Sequence, residues 1–399
     1  MRIVLFTHPE FTSSQSMPRF ARMLQQAYTE RGHQVQVWTP KARLSSRIKG
    51  PLAKWAGYVD QYILFPRWVR RQLPHQPADT LFVMTDQALG PWVPLVKDRP
   101  HVVHAHDLLA LRSALGEIPQ NPTRLTGRIY QRYIRQGFAQ AHRFICISGR
   151  TREDLERVGG VPASACEVVH NGLNQRFSRT PRPEAQAILR RANLPVPAQG
   201  LLLHVSGNQW YKNVSGVLRL YAHYARSQAM PLPLWLVGVH QDEAVRSALA
   251  EVPEQGSVHF LYGIDHALLQ AAYSQARAFL FPSLAEGFGW PIVEAQACGC
   301  PVITTDDAPM NEIGGPEARY LPLLQAGDDV QAWAAHGAWV LSDLLSSSTE
   351  EMERRRQACQ TWAQRFEPSQ AISRYLHIYE QVLDEAQSPK LAPAALRSS

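Results

Sequence analysis

Short apolar runs alternate with amphipathic helical segments along most of the chain, and this alternation constrains the fold more than any other feature. Apolar runs of four to six residues, bounded by Gly, Pro or polar clusters, are typical of buried parallel strands. Helical segments such as Met17–Arg31 and Thr126–Ala139 separate several of them. The first half of the chain has six such runs, at Ile3–Phe6, Val35–Trp38, Thr80–Met84, His101–His104, Phe144–Ile147 and Glu167–His170. This order predicts a doubly wound α/β domain.

A proline-rich break precedes a second series of the same kind. Pro181, Pro183, Pro195 and Pro197 surround a short helical stretch, which is typical of an interdomain connection. The chain ends with an amphipathic helix and a Pro/Ala/Ser tail. The second series of strands lies at Leu201–Val205, Leu234–Val237, Val258–Leu261, Ala278–Phe281, Val302–Thr304 and Arg319–Leu321.

These patterns predict an α/β protein with two facing Rossmann-like, doubly wound domains. Ligands of open α/β sheets bind beyond the carboxyl ends of the strands, so the cleft between the domains is the expected site. We expect a first domain at 1–176, a linker at 177–200, a second domain at 201–366, a C-terminal helix at 367–386 that crosses back to the first domain, and a flexible tail at 387–399.

The composition restricts location and partners. No apolar run approaches the ~18 residues of a membrane span, and the apolar start is too short for a signal peptide, so we expect a cytoplasmic protein. The five cysteines are odd in number and scattered, which argues against a disulfide framework, and Cys298 and Cys300 lack further zinc ligands nearby. The net charge of +7 favours anionic partners. No aromatic RNA-binding motif accompanies it, so nucleic acid is not an expected partner.

The strongest chemical signal is the string from Ser283 to Gly299, directly after a predicted strand. Two glycines flank Phe288, and Pro291 stands where the first turn of a helix should begin. A backbone of this kind can approach a ligand closely and present its N–H groups to an anion. Glu286 and Glu294 are eight residues apart, and each carboxylate can accept hydrogen bonds from neighbouring sugar hydroxyls.

Two further strings also follow predicted strands. In Leu203–Asn213, Lys212 is placed to reach a diphosphate as a mobile point charge, and Asn213 is a candidate helix cap. In Pro100–Asp107, His106 and Asp107 lie at the carboxyl end of a strand, where the cleft should be. His104 and His106 share one face, but no third ligand is evident, so contact with the transferred sugar is favoured over metal binding.

Together these strings resemble the retaining glycosyltransferases of family four (glycosyl transferases group 1), which have the GT-B fold. The shared pattern is Glu286, then Gly287-Phe288-Gly289, Pro291 and Glu294, followed by Cys298-Gly299-Cys300-Pro301-Val302. Further landmarks recur along the chain, so the resemblance covers nearly all of it. They are Ile147-Ser148, Asn171-Gly172, Lys212-Asn213, Tyr262-Gly263, Tyr273 to Ser283 and Asn311-Glu312-Ile313-Gly314.

The resemblance implies a role for each matching residue. Glu286 should contact the transferred sugar, and His106 should lie near the anomeric centre, which makes these two the catalytic candidates. Lys212 should bind the donor diphosphate and Glu294 the ribose hydroxyls. The expected donor site is completed by Asn208, by Gly263 and Ile264 near the base, and by the backbone of Gly287, Phe288 and Gly289.

The resemblance also implies an activity. It is metal-independent transfer of a hexose, with retention of anomeric configuration, from a UDP- or GDP-linked donor substrate. The acceptor would be a saccharide or lipid-linked saccharide, in the synthesis of a cell-surface polysaccharide or glycoconjugate. No cofactor and no metal are expected.

The sequence departs from the family pattern at three points. Tyr211 precedes Lys212 where the family has arginine, and Asn208 stands where an arginine is common. The loop from Phe11 to Met17 lacks the usual glycine pair. An inactive accessory protein that only binds nucleotide sugar is therefore a second hypothesis. A GT-B nucleotide-sugar epimerase is a third, which the family four motif disfavours.

A basic segment from Lys41 to Arg71 carries eight Lys/Arg and a single acid, Asp60. Six apolar residues in it recur at helical spacing, namely Leu52, Trp55, Ala56, Val59, Tyr62 and Ile63. Such a face, with basic residues around it, predicts either contact with an anionic membrane surface or a helix packed on the core. The protein is thus expected to be cytoplasmic, with a peripheral membrane location as one alternative.

Overall fold

The computed structural model describes residues 1–11 and 16–387. Within them lie two six-stranded sheets whose paired strands all run parallel. Helices surround both sheets. The predicted fold class, two Rossmann-like α/β domains, is confirmed. The flexible tail predicted at 387–399 lies, apart from Gln387, outside the described residues, as does most of the loop between Phe11 and Met17.

The first sheet has the strand order β2-β1-β3-β4-β5-β6. The chain order reverses between β1 and β3, so this is the switch point at which a ligand of the first domain is expected. The predicted strands all occur, with ends shifted by one or two residues. They are β1 (Arg2–Phe6), β2 (Gln34–Trp38), β3 (Thr80–Met84), β4 (His101–Ala105), β5 (Phe144–Cys146) and β6 (Cys166–Val168).

The second sheet has the order β12-β11-β10-β7-β8-β9, with its switch point between β7 and β10. The predicted strands again all occur. They are β7 (Leu201–Val205), β8 (Leu234–Val237), β9 (Val258–Leu261), β10 (Ala276–Phe281), β11 (Val302–Thr305) and β12 (Arg319–Leu321).

The helices cover the two sheets and the connection between them. Those of the first half are α1 (Ser16–Glu30), α2 (Ala53–Val59), α3 (Phe65–Gln72), α4 (Leu109–Ala114), α5 (Leu125–Phe138) and α6 (Gly149–Asp154). Those of the second half are α7 (Arg182–Arg191), α8 (Val214–Arg226), α9 (Glu243–Leu249), α10 (His266–Gln275), α11 (Trp290–Ala297), α12 (Met310–Gly314), α13 (Val330–Ser346), α14 (Thr349–Ala363) and α15 (Pro368–Gln387).

Helix α15 follows the second domain in the chain but packs on the first. Its apolar side, including Ile372, Tyr375 and Tyr379, is buried with Ile3 and Leu5 of β1 and with residues of α1. The Tyr379 hydroxyl lies 2.7 Å from His104 Nε2 inside this core. The crossing helix predicted from the sequence is thus observed, and His104 serves the packing between it and the sheet.

The connection between the domains is not a free linker over its whole length. Ala185 and Leu189 of α7 are fully buried in the core of the second domain.

Arg356 of α14 and the five cysteines are also buried, and every cysteine is free. Among the described helices, none combines the length and the apolarity needed to cross a membrane.

The apolar face predicted between Leu52 and Ile63 is only partly observed. A π-helical turn at 60–64 separates α2 from α3 and changes the direction in which side chains point. Leu52, Trp55 and Ile63 are exposed, whereas Ala56 is buried and Val59 and Tyr62 are half-buried. The prediction of one continuous face is therefore wrong, because the helix is not regular through this segment.

Candidate active site

The second sheet brings two of the predicted strings together at its switch point. The loop after β7 carries Asn208 and Lys212, and the loop after β10 carries Glu286 to Gly289. These strands are direct neighbours, paired for example at Leu203 and Phe279. Because all strands are parallel, both loops emerge at the same edge of the sheet.

Lys212 and Glu286 form an ion pair across these two loops. The Lys212 Nζ atom lies 2.7 Å from Glu286 Oε1, and both side chains are largely shielded from solvent. The ammonium group also lies 5.2 Å from the ring centre of Tyr211 and 5.0 Å from that of Phe281. Such a shielded cation interacts strongly with an added anion, because little water screens it.

Glu294, on the helix that follows the glycine loop, is half-buried beside Tyr273. The Tyr273 hydroxyl donates a hydrogen bond of 3.1 Å to Glu294 Oε2. Burial raises the pKa of Glu294 to about 7, although this bond and the charge of Lys212 act in the opposite direction. A carboxyl group with this pKa changes its charge near neutral pH, so its ability to accept hydrogen bonds from hydroxyls varies with pH.

The glycine loop of the second domain touches the first domain at the predicted catalytic histidine. A Cβ atom on Gly287 would lie 2.5 Å from the backbone oxygen of His106 and 3.0 Å from Asp107 Cβ. Only glycine permits this approach. The loop with Glu286 and the loop with His106 therefore face each other across the domain boundary.

His106 is buried at the carboxyl end of β4. Its ring packs edge-on against Phe20 at 4.8 Å, and its Nε2 atom lies 3.0 Å from the Thr85 carbonyl oxygen. Burial lowers the pKa of His106, so the ring is neutral near pH 7. Since a carbonyl can only accept, Nε2 carries the proton and Nδ1 is left as a hydrogen-bond acceptor. The ring can therefore receive a hydrogen bond from a hydroxyl group.

Three further polar residues on this side were missed or left unassigned by the sequence reasoning. His8 Nε2 lies 2.8 Å from Asp86 Oδ2, which joins the loops after β1 and β3 at the switch point of the first sheet. Burial raises the pKa of Asp107 to about 6, with the carboxylates of Asp86 and Glu286 adding to the effect. Each residue follows a predicted strand, so the rule that ligands bind beyond carboxyl ends could have found them.

Asn208 is occupied by contacts within its own domain. Its amide nitrogen donates to the carbonyl oxygen of His240 and to Asp242 Oδ2, each at 2.7 Å, and its amide oxygen accepts from the His240 N–H. It thereby fixes the loop after β8. The ring of His240 stacks on Tyr262 at 5.3 Å, next to the predicted base-binding turn.

That turn consists of Gly263, which has a φ of +62°, and Ile264, which packs against the core. A Cβ atom on Gly263 would meet no heavy atom within 4 Å, so the turn is open. The half-exposed ring of Tyr262 provides an aromatic surface beside it. Aromatic rings bind flat bases by offset stacking.

The rest of the glycine loop serves mainly to position its backbone. Phe288 is buried between His170 and Phe366 and holds the loop on the core. Gly289, with a φ of +99°, is the N-cap residue of α11. Asn213 does not cap α8 as the sequence suggested. It adopts a left-handed conformation at the N-cap position, and its side chain instead donates to the Pro282 carbonyl oxygen at 3.0 Å.

Two more contacts join the domains next to this site. Glu312 accepts hydrogen bonds from the backbone N–H groups of Gly149 and Arg150 at 2.8 and 3.1 Å. Burial tends to raise the pKa of Glu312, but bonds from His170 and these amides outweigh it and keep the pKa below its usual value. Trp290 Nε1 donates to the Gly172 carbonyl oxygen at 3.1 Å.

Metal binding was considered for the histidines around β4. Among residues 1–11 and 16–387, no group of three or more His, Cys, Asp or Glu side chains is arranged to hold a metal ion. His101 lies against His142, whereas His104 contacts Tyr379. Metal independence of the reaction stays a prediction.

Comparison with known proteins accounts for both halves of the chain. Residues 17–177 match the family model described as Glycosyltransferase Family 4, and residues 186–358 match the one described as Glycosyl transferases group 1. The resemblance to group 1 glycosyltransferases of GT-B fold is thereby confirmed. The chain contains both domains of this class, the first on the His106 side of the cleft and the second on the Lys212 side.

Similar proteins are found among curated sequences and solved structures. O-antigen chain mannosyltransferase B from Escherichia coli is 26% identical over 56% of this chain and 57% of its own length. The chain spans about a third to two thirds of the length of the curated relatives it matches. Sucrose-phosphate synthase from Thermosynechococcus elongatus shares the fold with a TM-score of 0.69 and 19% identity, over 96% of this chain and 100% of that one. HepE from Anabaena, solved with UDP and glucose, gives a TM-score of 0.61 and 17% identity over 95% and 99%.

Proposed function

We propose that this protein is a retaining, metal-independent hexosyltransferase that uses a UDP- or GDP-linked sugar. The observation that carries the proposal is the shielded Lys212–Glu286 ion pair at the switch point of the second sheet, in a loop that touches His106 through Gly287. The two matching family descriptions are both those of glycosyltransferases.

The ion pair suits the charge that develops during transfer. Breaking the bond from the anomeric carbon to the diphosphate leaves negative charge on the leaving group, and a fixed cation in a shielded site stabilises it. In this arrangement Lys212 turns from Glu286 to the diphosphate, which frees Glu286 to accept hydrogen bonds from the sugar. Glu294 holds the ribose, Tyr262 stacks near the base, and His106 accepts a bond from a sugar hydroxyl.

The first test is a panel of UDP- and GDP-linked hexoses, including donors of mannose and glucose, scored by thermal shift. A site ligand at about 100 times its dissociation constant adds roughly 2.7 kcal/mol of stability. Transfer is then measured with saccharide and lipid-linked saccharide acceptors in excess chelator. Retention is read from the anomeric configuration of the product. Product of inverted configuration, or activity lost with chelator and restored by Mn²⁺, would contradict the proposed mechanism.

A nucleotide-sugar-binding accessory protein of low activity is the second candidate, and Asn208 is the observation that favours it. Asn208 stands where the family often has arginine, and its amide is committed to His240 and Asp242. The donor site therefore has one cation fewer for the diphosphate. Tight donor binding without turnover on any acceptor class would support this alternative.

A lipid-linked acceptor also requires access to a membrane surface, and the first domain offers an apolar and basic face for it. Leu52 and Trp55 are about two-thirds exposed (65% and 66%), and Leu125, Ile129 and Tyr133 of α5 form a second exposed apolar row. Tyrosine contacts join the two rows, since the Tyr62 and Tyr130 hydroxyls lie 2.6 Å apart. Exposed arginines surround them, at Arg67, Arg70, Arg71, Arg124, Arg128 and Arg132.

We therefore assign this face to contact with an anionic lipid surface. Aromatic and basic residues together suit the headgroup region, and each basic residue near it contributes about 1 kcal/mol. Vesicle co-sedimentation at low and high salt tests the assignment. Salt-reversible binding should be lost with Arg67, Arg70 and Arg71 changed to Glu, and weakened by Trp55→Ser. Trp339→Ser, at an equally exposed tryptophan of the second domain, is the matched control. If Trp55→Ser and Trp339→Ser weakened vesicle binding equally, the assignment of this face to the lipid surface would be contradicted.

A further inference from the structure

A cavity of about 200 Å³ lies behind the donor half of the site, away from the cleft. Residues from the interdomain connection, from the start of β10 and from α14 line it. Since a water molecule in the liquid occupies ~30 Å³, the cavity has room for a phosphate group and a small organic portion.

Four arginines line this cavity, against a single acidic side chain. They are Arg179, Arg182, Arg277 and Arg356, and the acid is Glu353. Arg179 binds both carboxylate oxygens of Glu353, so these two charges cancel. The other three arginines form no ion pair with any residue in the described part of the chain. The cavity thus carries an excess of about three positive charges.

Contacts with the protein satisfy these three guanidinium groups only in part. Arg356 is 8% exposed and donates to the carbonyl oxygens of Gly299 and Ala276 at 3.0 and 2.9 Å. Arg277 donates from one Nη atom to the Leu345 carbonyl oxygen at 3.5 Å, but its Nε–H is buried and finds no acceptor among the described residues. Arg182 donates to the Ala198 carbonyl oxygen. Carbonyl oxygens satisfy donors but do not neutralise a charge, and a buried cation without an ionic partner is costly. That cost falls on Arg356, which is buried, whereas Arg277 is half-buried and Arg182 is exposed.

A purely structural role explains Arg356 but not its neighbours. Arg356 fixes the carbonyl oxygen of Gly299, just beyond the end of α11. Arg182 and Arg277 each donate to one carbonyl oxygen, those of Ala198 and Leu345, whereas Arg356 donates to two. These single contacts do not account for two more positive charges at the same cavity. Several arginine forks around one cavity are the arrangement that recognises phosphate, because each fork can donate two parallel hydrogen bonds.

We propose that this cavity is a second anion site, which binds inorganic phosphate or a small phosphate monoester between the interdomain connection and the donor domain. The bound group would bridge Arg182 on α7 to Arg277 on β10 and Arg356 on α14. The site is separate from the diphosphate site at Lys212, and the proposal does not depend on the transferase activity.

Calorimetry with inorganic phosphate and with glycerol 3-phosphate, at constant ionic strength, tests the proposal. Titrations use the full chain and its Lys212→Ala variant, which lacks the cation of the donor site. Saturable binding should persist in Lys212→Ala. It should weaken about 10-fold or more with Arg277→Gln or Arg182→Gln, since each removes a charge-assisted hydrogen bond. Arg190→Gln, at an exposed position of α7 outside the cavity, should bind like wild type.

Two outcomes would overturn the proposal. One is the absence of saturable binding to the wild-type protein. The other is binding that disappears in Lys212→Ala yet is unchanged in Arg182→Gln, which would assign the anion to the donor site. Arg182 is exposed, so its variant should fold even if Arg277→Gln does not.

Discussion

The two sheets build their halves of the cleft in different ways. At the switch point of the second sheet, two contiguous strings supply Lys212, Glu286 and the glycine loop. At that of the first sheet, His8, Asp86 and His106 come from three separate loops, and none of these loops carries a recognisable string. A site built from contiguous strings can be recognised in the sequence, whereas a site built from dispersed single residues can be recognised only in the folded structure.

The electrostatics of the two sides differ as well. In the proposed function the second domain binds the donor and the first domain the acceptor, so we call the two sides the donor side and the acceptor side. The donor side holds a cation beside a carboxylate, which suits a substrate with a charged diphosphate. The acceptor side holds a neutral histidine and Asp107, whose pKa is raised to about 6. It is therefore suited to hydroxyl groups rather than to phosphate. The following four changes test this division, from the largest expected effect to the smallest.

The largest effect is expected from Lys212→Met, which removes the donor-side cation. Turnover of the nucleotide sugar should fall by about 10²–10³-fold, as is usual when one group that stabilises a developing anion is lost. Steady-state kinetics measures it, and Lys97→Met, at an exposed lysine of the first domain, is the control. Wild-type turnover in Lys212→Met would contradict the proposed role of Lys212 as the cation that binds the diphosphate.

The next effect is expected where the two halves meet. In Gly287→Ala the added Cβ would lie 2.5 Å from the His106 backbone oxygen, so the domains must move apart. Since a misplacement of about 1 Å can cost ~10²-fold in rate, kcat/KM should fall by that order. Gly57→Ala is the control, because its Cβ would meet only ordinary contacts, the nearest at 3.5 Å. Equal kinetics in the two variants would show that this approach of the domains is not needed.

A smaller effect concerns pH. The pKa of Glu294 is raised to about 7, so this group is mostly protonated at pH 6 and mostly ionised at pH 8. Affinity for a nucleotide-diphosphate sugar, whose esterified phosphates do not titrate in this range, should be about 10-fold weaker at pH 6 than at pH 8. Calorimetry at both values measures the ratio. The Glu294→Gln variant should bind the nucleotide sugar weakly at both pH values. If its affinity still changed about 10-fold between pH 6 and pH 8, a group other than Glu294 would cause the pH dependence.

The smallest effect is expected on the acceptor side. Burial tends to raise the pKa of Asp86, but the bond and charge of His8 outweigh it and lower the pKa overall. The ionised form therefore stabilises the fold above the usual aspartate pKa of ~3.9, and this contribution is lost as the pH falls through the lowered value. Asp86→Asn should reduce stability by about 1 kcal/mol at pH 7 and progressively less in acid. Denaturant unfolding at several pH values measures the free energy of unfolding, and Asp98→Asn, at an exposed position, is the control. A loss of stability in Asp86→Asn that does not depend on pH would contradict the pairing of Asp86 with His8.

The sequence by itself determined the two parallel sheets, because a strand buried on both faces must be a short continuous apolar run. It also determined the donor loop, since Gly287 and Gly289 permit backbone conformations and contacts that other residues exclude, and Pro291 fixes φ at the start of the helix. The apolar face of α15 showed that this helix needs a partner surface, and the tertiary structure decided that the first domain supplies it. Only the tertiary structure decided that Lys212 pairs with Glu286, that Asn208 is occupied by His240, and that His8 meets Asp86. These pairs join residues 32 to 78 positions apart, and no local pattern encodes which side chains such distant loops bring together.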